Sequence, residues 1–159
     1  MGQSQMEVAN KVFEQAAAEN ITVVAASGDQ GGLDGESSPT VNFPASDPYV
    51  LAVGGTSLYY DNPYQQTAWG GYYDGTTFGS GGGFSANFSR PYFQAGPPGI
   101  NSTMRGLARR CMVANPETGV LVVTDGTERQ IGGGTSVGAP IWSASLHSST
   151  SSTTGRLAS

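Results

Sequence analysis

The segment Ile131-Gly-Gly-Gly-Thr-Ser136-Val-Gly-Ala-Pro140 places a serine between flexible glycines and a stretch that can begin a helix. The Oγ atom of a serine in such a turn stands clear of its own backbone. The unpaired N–H groups and the positive dipole end of the helix then lie beside any anion that forms when that oxygen attacks a carbonyl. Ser136 is therefore a candidate nucleophile, and the alternative is a turn in which Thr135 or Ser136 caps the helix.

A second segment, Ile21-Thr-Val-Val-Ala-Ala-Ser-Gly-Asp29-Gln-Gly31, is a short apolar strand that runs into a turn-rich loop. Functional sites of open α/β sheets collect at this edge of the strands. Acyl transfer needs a donor to the tetrahedral oxyanion, and a carboxyl group can provide that hydrogen bond only while it is protonated. Asp29 is a candidate for this donor, and the alternative is a residue of an Asx turn.

The order of the elements favours an α/β fold. Helical spacing over 4–19 is followed by an apolar strand at 21–26, a second at Tyr49–Val53 that Gly54 and Gly55 close, a third strand at Gly119–Val123, and a helix over Pro140–Leu146. Strands that alternate with helices predict a parallel sheet. Residues 59–83 are expected to form an irregular hairpin or loop.

Composition excludes several classes of function. The 159 residues carry a net charge of −5 and include one Cys and one His. An acidic chain is a poor partner for nucleic acid or an anionic membrane, and no apolar run is long enough to span a bilayer. A lone Cys111 and a lone His147 provide neither a disulfide nor a multi-ligand metal site, so no metal and no cofactor is expected in this chain.

The chain resembles the serine-carboxyl peptidases (the sedolisin family). The similar segments keep the order of that family: ITVVAASGDQG (21–31), FPASDPYVLAVGGTSL (43–58), GSGGGFSANFSRPYFQ (79–94), NPETG (115–119) and IGGGTSVGAPIW (131–142). The resemblance implies a subtilisin-like parallel sheet with flanking helices. It also implies a serine endopeptidase that acts in acid, with Ser136 as nucleophile and Asp29 as oxyanion donor, because ordinary subtilisins have Asn at the position of Asp29.

The resemblance implies a substrate site as well. The glycine-rich run Gly79–Gly83 is expected to pair with an extended peptide by β-addition, and the alternative is that it forms a flexible loop. The residues assigned to substrate binding are Ser80, Gly81, Gly82, Gly83, Gly134 and Thr135. The implied partner is a peptide or protein substrate, and the implied location of the complete protein is secreted or extracytoplasmic, although the polar first residues contain no signal peptide.

The general base of the family, a Glu oriented by an Asp one helical turn away, has no match. Asp34 and Glu36 follow the Asp29 segment and are read as a solvated loop. We therefore expect residues 1–147 to be part of a peptidase domain, incomplete at both ends, with the family's calcium loop also absent. The missing half of that domain is a possible partner. Residues 148–159, rich in Ser and Thr, are expected to be disordered or non-native.

Two other functions remain open at this stage. One is an inactive remnant that still binds extended peptides. The other is a neutral subtilisin-type hydrolase, which needs a His upstream of Ser136, whereas His147 follows it.

The resemblance breaks at two places, and a shifted reading frame would explain both. After Arg105-Gly106 the family pattern is Leu/Val-Pro-Asp-Val-Ala, where this chain has Leu107-Ala-Arg-Arg-Cys111. One permitted coding of Ala-Arg-Arg-Cys gives Pro-Asp-Val-Ala when it is read one base later. A similar shift in residues 145–152 restores a family-like helix.

Independent sequencing of the genomic DNA is expected to find single-base differences near codons 107–111 and 144–146. The corrected text should read Pro-Asp-Val-Ala and continue an apolar helix from Trp142. Reads that confirm the present sequence at both places would reject the frameshift hypothesis.

Overall fold

The structure, a computed structural model, describes residues 1–60, 64–73, 75–95, 101–107, 110–130 and 132–156. Two α-helices are present in this part of the chain, α1 (Gln3–Ala18) and α2 (Thr135–Arg156). The strands, in chain order, are β1 (Val23–Ala26), β2 (Val50–Tyr59), β3 (Gln65–Ala68), β4 (Gly70–Tyr73), β5 (Thr76–Gly79), β6 (Phe84–Ser89), β7 (Met104–Gly106), β8 (Arg110–Val113), β9 (Leu121–Thr124) and β10 (Thr127–Gln130).

Strand β2 is the centre of the main sheet. It pairs in parallel with β1, in a register that sets Val23 opposite Val50, and in parallel with β8, in a register that sets Val53 opposite Arg110. Its last four residues pair with β3 in the antiparallel sense. Helix α2 packs across β1, β2 and β8, and α1 contacts β1. The predicted α/β class, a parallel sheet with flanking helices, is confirmed.

Strand β2 is longer than its sequence predicts. The pair Gly54-Gly55 was expected to end it, but the strand continues to Tyr59. The reason is packing: a Cβ on Gly55 would lie 2.6 Å from Cβ of Ala114 and 2.8 Å from Cε3 of Trp69. Glycine here allows neighbouring elements to close onto a strand and does not mark its end.

The strand predicted at Gly119–Val123 is present as β9. Asp125 and Gly126 both have positive φ, 51° and 71°, and turn the chain directly back into β10. Positive φ at both central residues produces the twist of a tight hairpin. The third parallel strand of the main sheet is instead β8, within the segment where the resemblance breaks; residues 108 and 109 of that segment lie outside the described residues.

Helix α2 is also longer than the predicted Pro140–Leu146. It begins at Thr135, and its backbone continues through the serine- and threonine-rich segment to Arg156. Three serine hydroxyls donate to the carbonyl oxygen four residues earlier: Ser143 to Ala139, Ser145 to Ile141 and Ser148 to Ala144. Within the described residues, no helix has the length and apolar content needed to cross a membrane.

Arg105 links β7 to the beginning of β2. Its side chain is buried, with 4% exposure. Nη2 donates to the carbonyl oxygen of Val50 at 3.0 Å, Nη1 to that of Gly106 at 3.0 Å, and Nε to that of Asp47 at 3.4 Å. The planar guanidinium suits this arrangement because it directs several donors outward at fixed angles.

Replacing Arg105 with Lys is expected to lower the free energy of unfolding by about 2–3 kcal/mol, because a single ammonium nitrogen cannot reach three carbonyls that three separated guanidinium nitrogens contact, and a buried acceptor loses its donor. Denaturant unfolding of the chain measures this change. Arg129→Lys, at an exposed position on β10, is the matched control and should change stability by less than about 0.5 kcal/mol. Equal effects of the two substitutions would contradict the role given to Arg105.

Candidate active site

The loop after β1 and the first turn of α2 meet at the carboxyl end of the parallel strands. Oδ1 of Asp29 accepts a hydrogen bond from the N–H of Thr135 at 2.7 Å and another from the Thr135 hydroxyl at 2.8 Å. These residues are 106 positions apart in sequence. The structure therefore brings together the two segments that carry the predicted nucleophile and oxyanion donor.

Consecutive helical residues point about 100° apart, and this geometry gives Thr135 and Ser136 different surroundings. Thr135 is completely buried, whereas Ser136 is exposed. The N–H of Ser136 lies in the first turn of α2, where backbone donors have no intrahelical acceptor. An exposed hydroxyl therefore lies beside a free backbone donor and the positive end of the helix dipole.

Gly134 fits closely against Asp29. It has a φ of +116°, and a Cβ at this position would lie 2.8 Å from Oδ2 of Asp29. Only glycine adopts this backbone conformation without strain while leaving room for the carboxyl group. That Gly134 and Thr135 bind substrate stays a prediction, and the Thr135 side chain itself points into the protein.

The glycine run after β5 supports the Asp29 loop from the other side. The N–H of Gly79 donates to the carbonyl oxygen of Asp29 at 2.9 Å, and that of Gly81 donates to Gly28 at 2.8 Å. A Cβ on Gly81 would overlap the carbonyl oxygen of Ser27. Glycine at position 81 thus allows two backbone segments to touch.

The side chain of Ser80 is engaged within the protein. Its Oγ accepts the N–H of Gly55 at 2.9 Å and donates to the carbonyl of Gly81 at 3.2 Å. Gly82, in contrast, has open space where a side chain would be. Substrate binding by Ser80 and Gly81–Gly83 stays a prediction, and Gly82 is the position with most room for it.

The acidic loop that follows Asp29 contains Asp34 and Glu36. Partial burial raises the pKa of the Asp34 carboxyl, and the charge of Glu36 adds to this effect; a hydrogen bond from Nδ2 of Asn42 at 2.7 Å opposes it. Asp34 thus has a defined partner, Asn42, which the sequence analysis did not identify. The loop is less fully solvated than its composition suggests.

The one histidine of the sequence is His147. It lies eleven residues beyond Ser136 on α2, which is about 16 Å along the helix axis. Among the described residues, neither an imidazole nor a carboxylate is hydrogen-bonded to the Ser136 hydroxyl.

The described residues also contain no group of three or more His, Cys, Asp or Glu side chains placed to hold a metal ion. That the calcium loop of the family is absent from this chain stays a prediction.

Comparison with known proteins reveals clear relatives. The chain is 42% identical over 146 residues to Kumamolisin of Bacillus sp. (strain MN-32), covering 85% of this chain and 26% of that protein. It is 36% identical over 155 residues to Sedolisin of Pseudomonas sp. (strain 101), covering 86% of this chain and 25% of that protein. Tripeptidyl-peptidase 1 of Bos taurus is 40% identical over 89 residues, covering 54% of this chain and 15% of that protein.

A solved structure described as Pseudomonas sedolisin, a serine-carboxyl proteinase, complexed with two molecules of pseudo-iodotyrostatin, is similar with a TM-score of 0.80 and 33% identity. The match covers 94% of this chain and 44% of that one. No family model matches the chain. The chain thus spans about a quarter of the length of Kumamolisin and Sedolisin.

Gly134→Ala is expected to destabilise the chain by about 1–3 kcal/mol, because alanine is strained at positive φ and its Cβ would press on Asp29. Denaturant unfolding measures the effect. Gly132→Ala is the control in the same loop, since a Cβ there meets nothing within 4 Å, and it should change stability by less than about 0.5 kcal/mol. A tolerated Gly134→Ala would mean that the loop does not hold Asp29 as described.

Proposed function

Because the chain is homologous to the sedolisin family of serine peptidases over most of its length, we propose that it provides the nucleophile and the oxyanion donor of a serine endopeptidase that acts in acid. Ser136 is the nucleophile and Asp29 the donor. The substrate is a peptide or protein chain in extended conformation.

The contact between Asp29 and the first turn of α2 carries the proposal. It fixes the Asp29 carboxyl group against Thr135, 106 positions away in sequence, which directly precedes the exposed Ser136 at the helix N-terminus. Fixed donors near a developing oxyanion are often the largest single contribution to acyl-transfer catalysis.

In the proposed reaction, Oγ of Ser136 adds to the carbonyl carbon of the scissile peptide bond. The hydroxyl proton passes to a general base, and the negative charge develops on the carbonyl oxygen. That oxygen accepts hydrogen bonds from protonated Asp29 and from the N–H of Ser136. Collapse of the tetrahedral species breaks the C–N bond, the amine leaves with a proton, and water later hydrolyses the acyl-Ser136 ester.

The general base of the proposed enzyme comes from a part of the peptidase domain that lies outside the region shared between this chain and its relatives. The resemblance implies a glutamate there, oriented by an aspartate. A nucleophile and its base act as a unit, so the chain alone is expected to have little or no peptidase activity. We place the complete protein outside the cytoplasm, as the resemblance implies.

The test is a chimera in which residues 1–147 replace the matched region of Kumamolisin. We expect hydrolysis of a fluorogenic peptide at acidic pH, and we expect Ser136→Ala to lower kcat by several orders of magnitude, up to about 10⁶-fold. Ser143→Ala is the matched control on the same helix, because its hydroxyl donates only to the Ala139 carbonyl, and it should remain active. Full activity of the Ser136→Ala chimera would overturn the assignment of the nucleophile.

The same chimera tests Asp29. Asp29→Ala should lower kcat at acidic pH by about 10²–10³-fold with little change in KM, the cost of one oxyanion donor. Asp29→Asn should shift activity toward neutral pH, because an amide donates at any pH whereas a carboxyl donates only while protonated. An Asp29→Ala enzyme with unchanged rates at every pH would remove Asp29 from the site.

A further inference from the structure

Thr135 donates hydrogen bonds to Asp29 from both its backbone N–H and its side-chain hydroxyl. We propose that it is a positioning residue which determines which oxygen of Asp29 carries the proton offered to the oxyanion. This inference rests on the proposed function and adds a residue to it. The side chain of Thr135 is completely buried, so the predicted contact of residue 135 with substrate would be made by its backbone, which a side-chain substitution leaves in place.

The first step of the argument concerns the two oxygens of Asp29. Oδ1 accepts from both the N–H and the hydroxyl of Thr135, at 2.7 Å and 2.8 Å. A carbonyl-type oxygen has two lone pairs, and a protonated carboxyl has one O–H donor. Because both lone pairs of Oδ1 are occupied, Oδ2 is the oxygen on which a proton added to this carboxyl would be placed.

The second step concerns the direction of the Thr135 hydroxyl. Its Oγ1 accepts the N–H of Gly28 at 3.1 Å, so that side of the oxygen is already filled and its own proton is directed to Asp29. The hydroxyl therefore cannot rotate to accept from Asp29 without giving up the bond from Gly28. Burial excludes a water molecule that could replace either bond.

The third step concerns the methyl group of Thr135. Its Cγ2 lies 3.3 Å from the position that a Cβ on Gly55 would occupy, so the side chain packs against the central strand β2. Both substituents on the Thr135 Cβ are thereby held, which fixes the rotamer. Oδ2 is the Asp29 oxygen nearer to Gly134, two residues before Ser136: a Cβ built on Gly134 would lie 2.8 Å from Oδ2 and 3.7 Å from Oδ1.

A binding experiment on the Kumamolisin chimera, in which the relative provides the rest of the domain, tests the inference without requiring turnover. A peptide aldehyde forms a hemiacetal with a serine hydroxyl and places an oxyanion-like oxygen at the donor, whereas the corresponding peptide alcohol binds without that adduct. Thr135→Val keeps the shape and removes the hydroxyl. It should weaken aldehyde binding roughly tenfold or more, the size of one lost hydrogen bond, and leave alcohol binding unchanged.

Three further variants distinguish a role of Thr135 in positioning the Asp29 proton from a general contribution to folding. Thr135→Ser retains the hydroxyl and should restore aldehyde binding. Thr118→Val removes a hydroxyl that accepts the N–H of Leu58 outside the site, and it should leave the ratio of aldehyde to alcohol affinity unchanged. In an Asp29→Ala background, Thr135→Val should have no additional effect, because the two residues act through one contact.

The outcomes are distinguishable. A chimera with Thr135 and Asp29 intact that forms no Ser136-dependent hemiacetal would overturn the proposed function, and the inference falls with it. An adduct of equal strength in Thr135→Val, an equal loss of aldehyde and alcohol binding, or a loss that persists without Asp29 would overturn the inference and leave the proposed function intact. Thr135→Ala replaces the valine variant if the latter does not fold, with alcohol binding as the check on folding.

Discussion

The pairing of β2 with three other strands is the constraint on which the remaining structure depends. β1 occupies residues 50–53 of this strand, β8 occupies 53–56 and β3 occupies 56–59. Because β1 and β8 both run parallel to β2, the loops that follow them emerge at one edge of the sheet. A shift of register in β2 would move Asp29 away from α2 and separate the two parts of the site.

Small residues allow these loops to approach one another. Gly55, Gly81 and Gly133 each lie where a Cβ would meet a neighbouring atom closer than ordinary packing permits. Close backbone contact replaces a large apolar core here: the buried apolar residues are few, and many large apolar side chains are exposed. The positions of the loops at the site are therefore fixed by hydrogen bonds, and by glycines that leave no side chain between the loops, more than by buried hydrophobic volume.

Much of this arrangement could be predicted from the sequence. Periodicity and turn residues predict α1, β1 and β9, which the structure contains. The positions of Asp29 after a strand and Ser136 before a helix predict a site at this edge of the sheet, and that these two residues are catalytic stays a prediction. The extension of β2 through Gly54 could not be predicted, because it depends on Trp69 and Ala114, which approach only in the folded chain. The third parallel strand, β8, could not be predicted because its sequence, Arg-Cys-Met-Val, has no apolar run of strand length, and its residues are exposed or half-buried in the fold.

Thr135 illustrates the same limit. The Gly-Thr-Ser motif indicates Ser136 as a nucleophile, whereas Thr135 beside it is equally consistent with a helix cap. That its hydroxyl meets Asp29 depends on the 100° turn between neighbouring helical residues and on a partner 106 positions away. The local sequence predicts the helical geometry, but it does not identify Asp29 as the partner of Thr135.

The packing of α2 on β8 has a practical consequence for spectroscopy. The indole Nε1 of Trp142 donates to the carbonyl oxygen of Cys111 at 3.1 Å, and the Cys111 side chain is exposed. The sequence has one cysteine and two tryptophans, the other of which, Trp69, is buried. A quencher attached to the Cys111 thiol would therefore lie close to Trp142 and affect the buried Trp69 far less. The fluorescence of Trp142 would then report whether the helix that bears Ser136 is packed against β8.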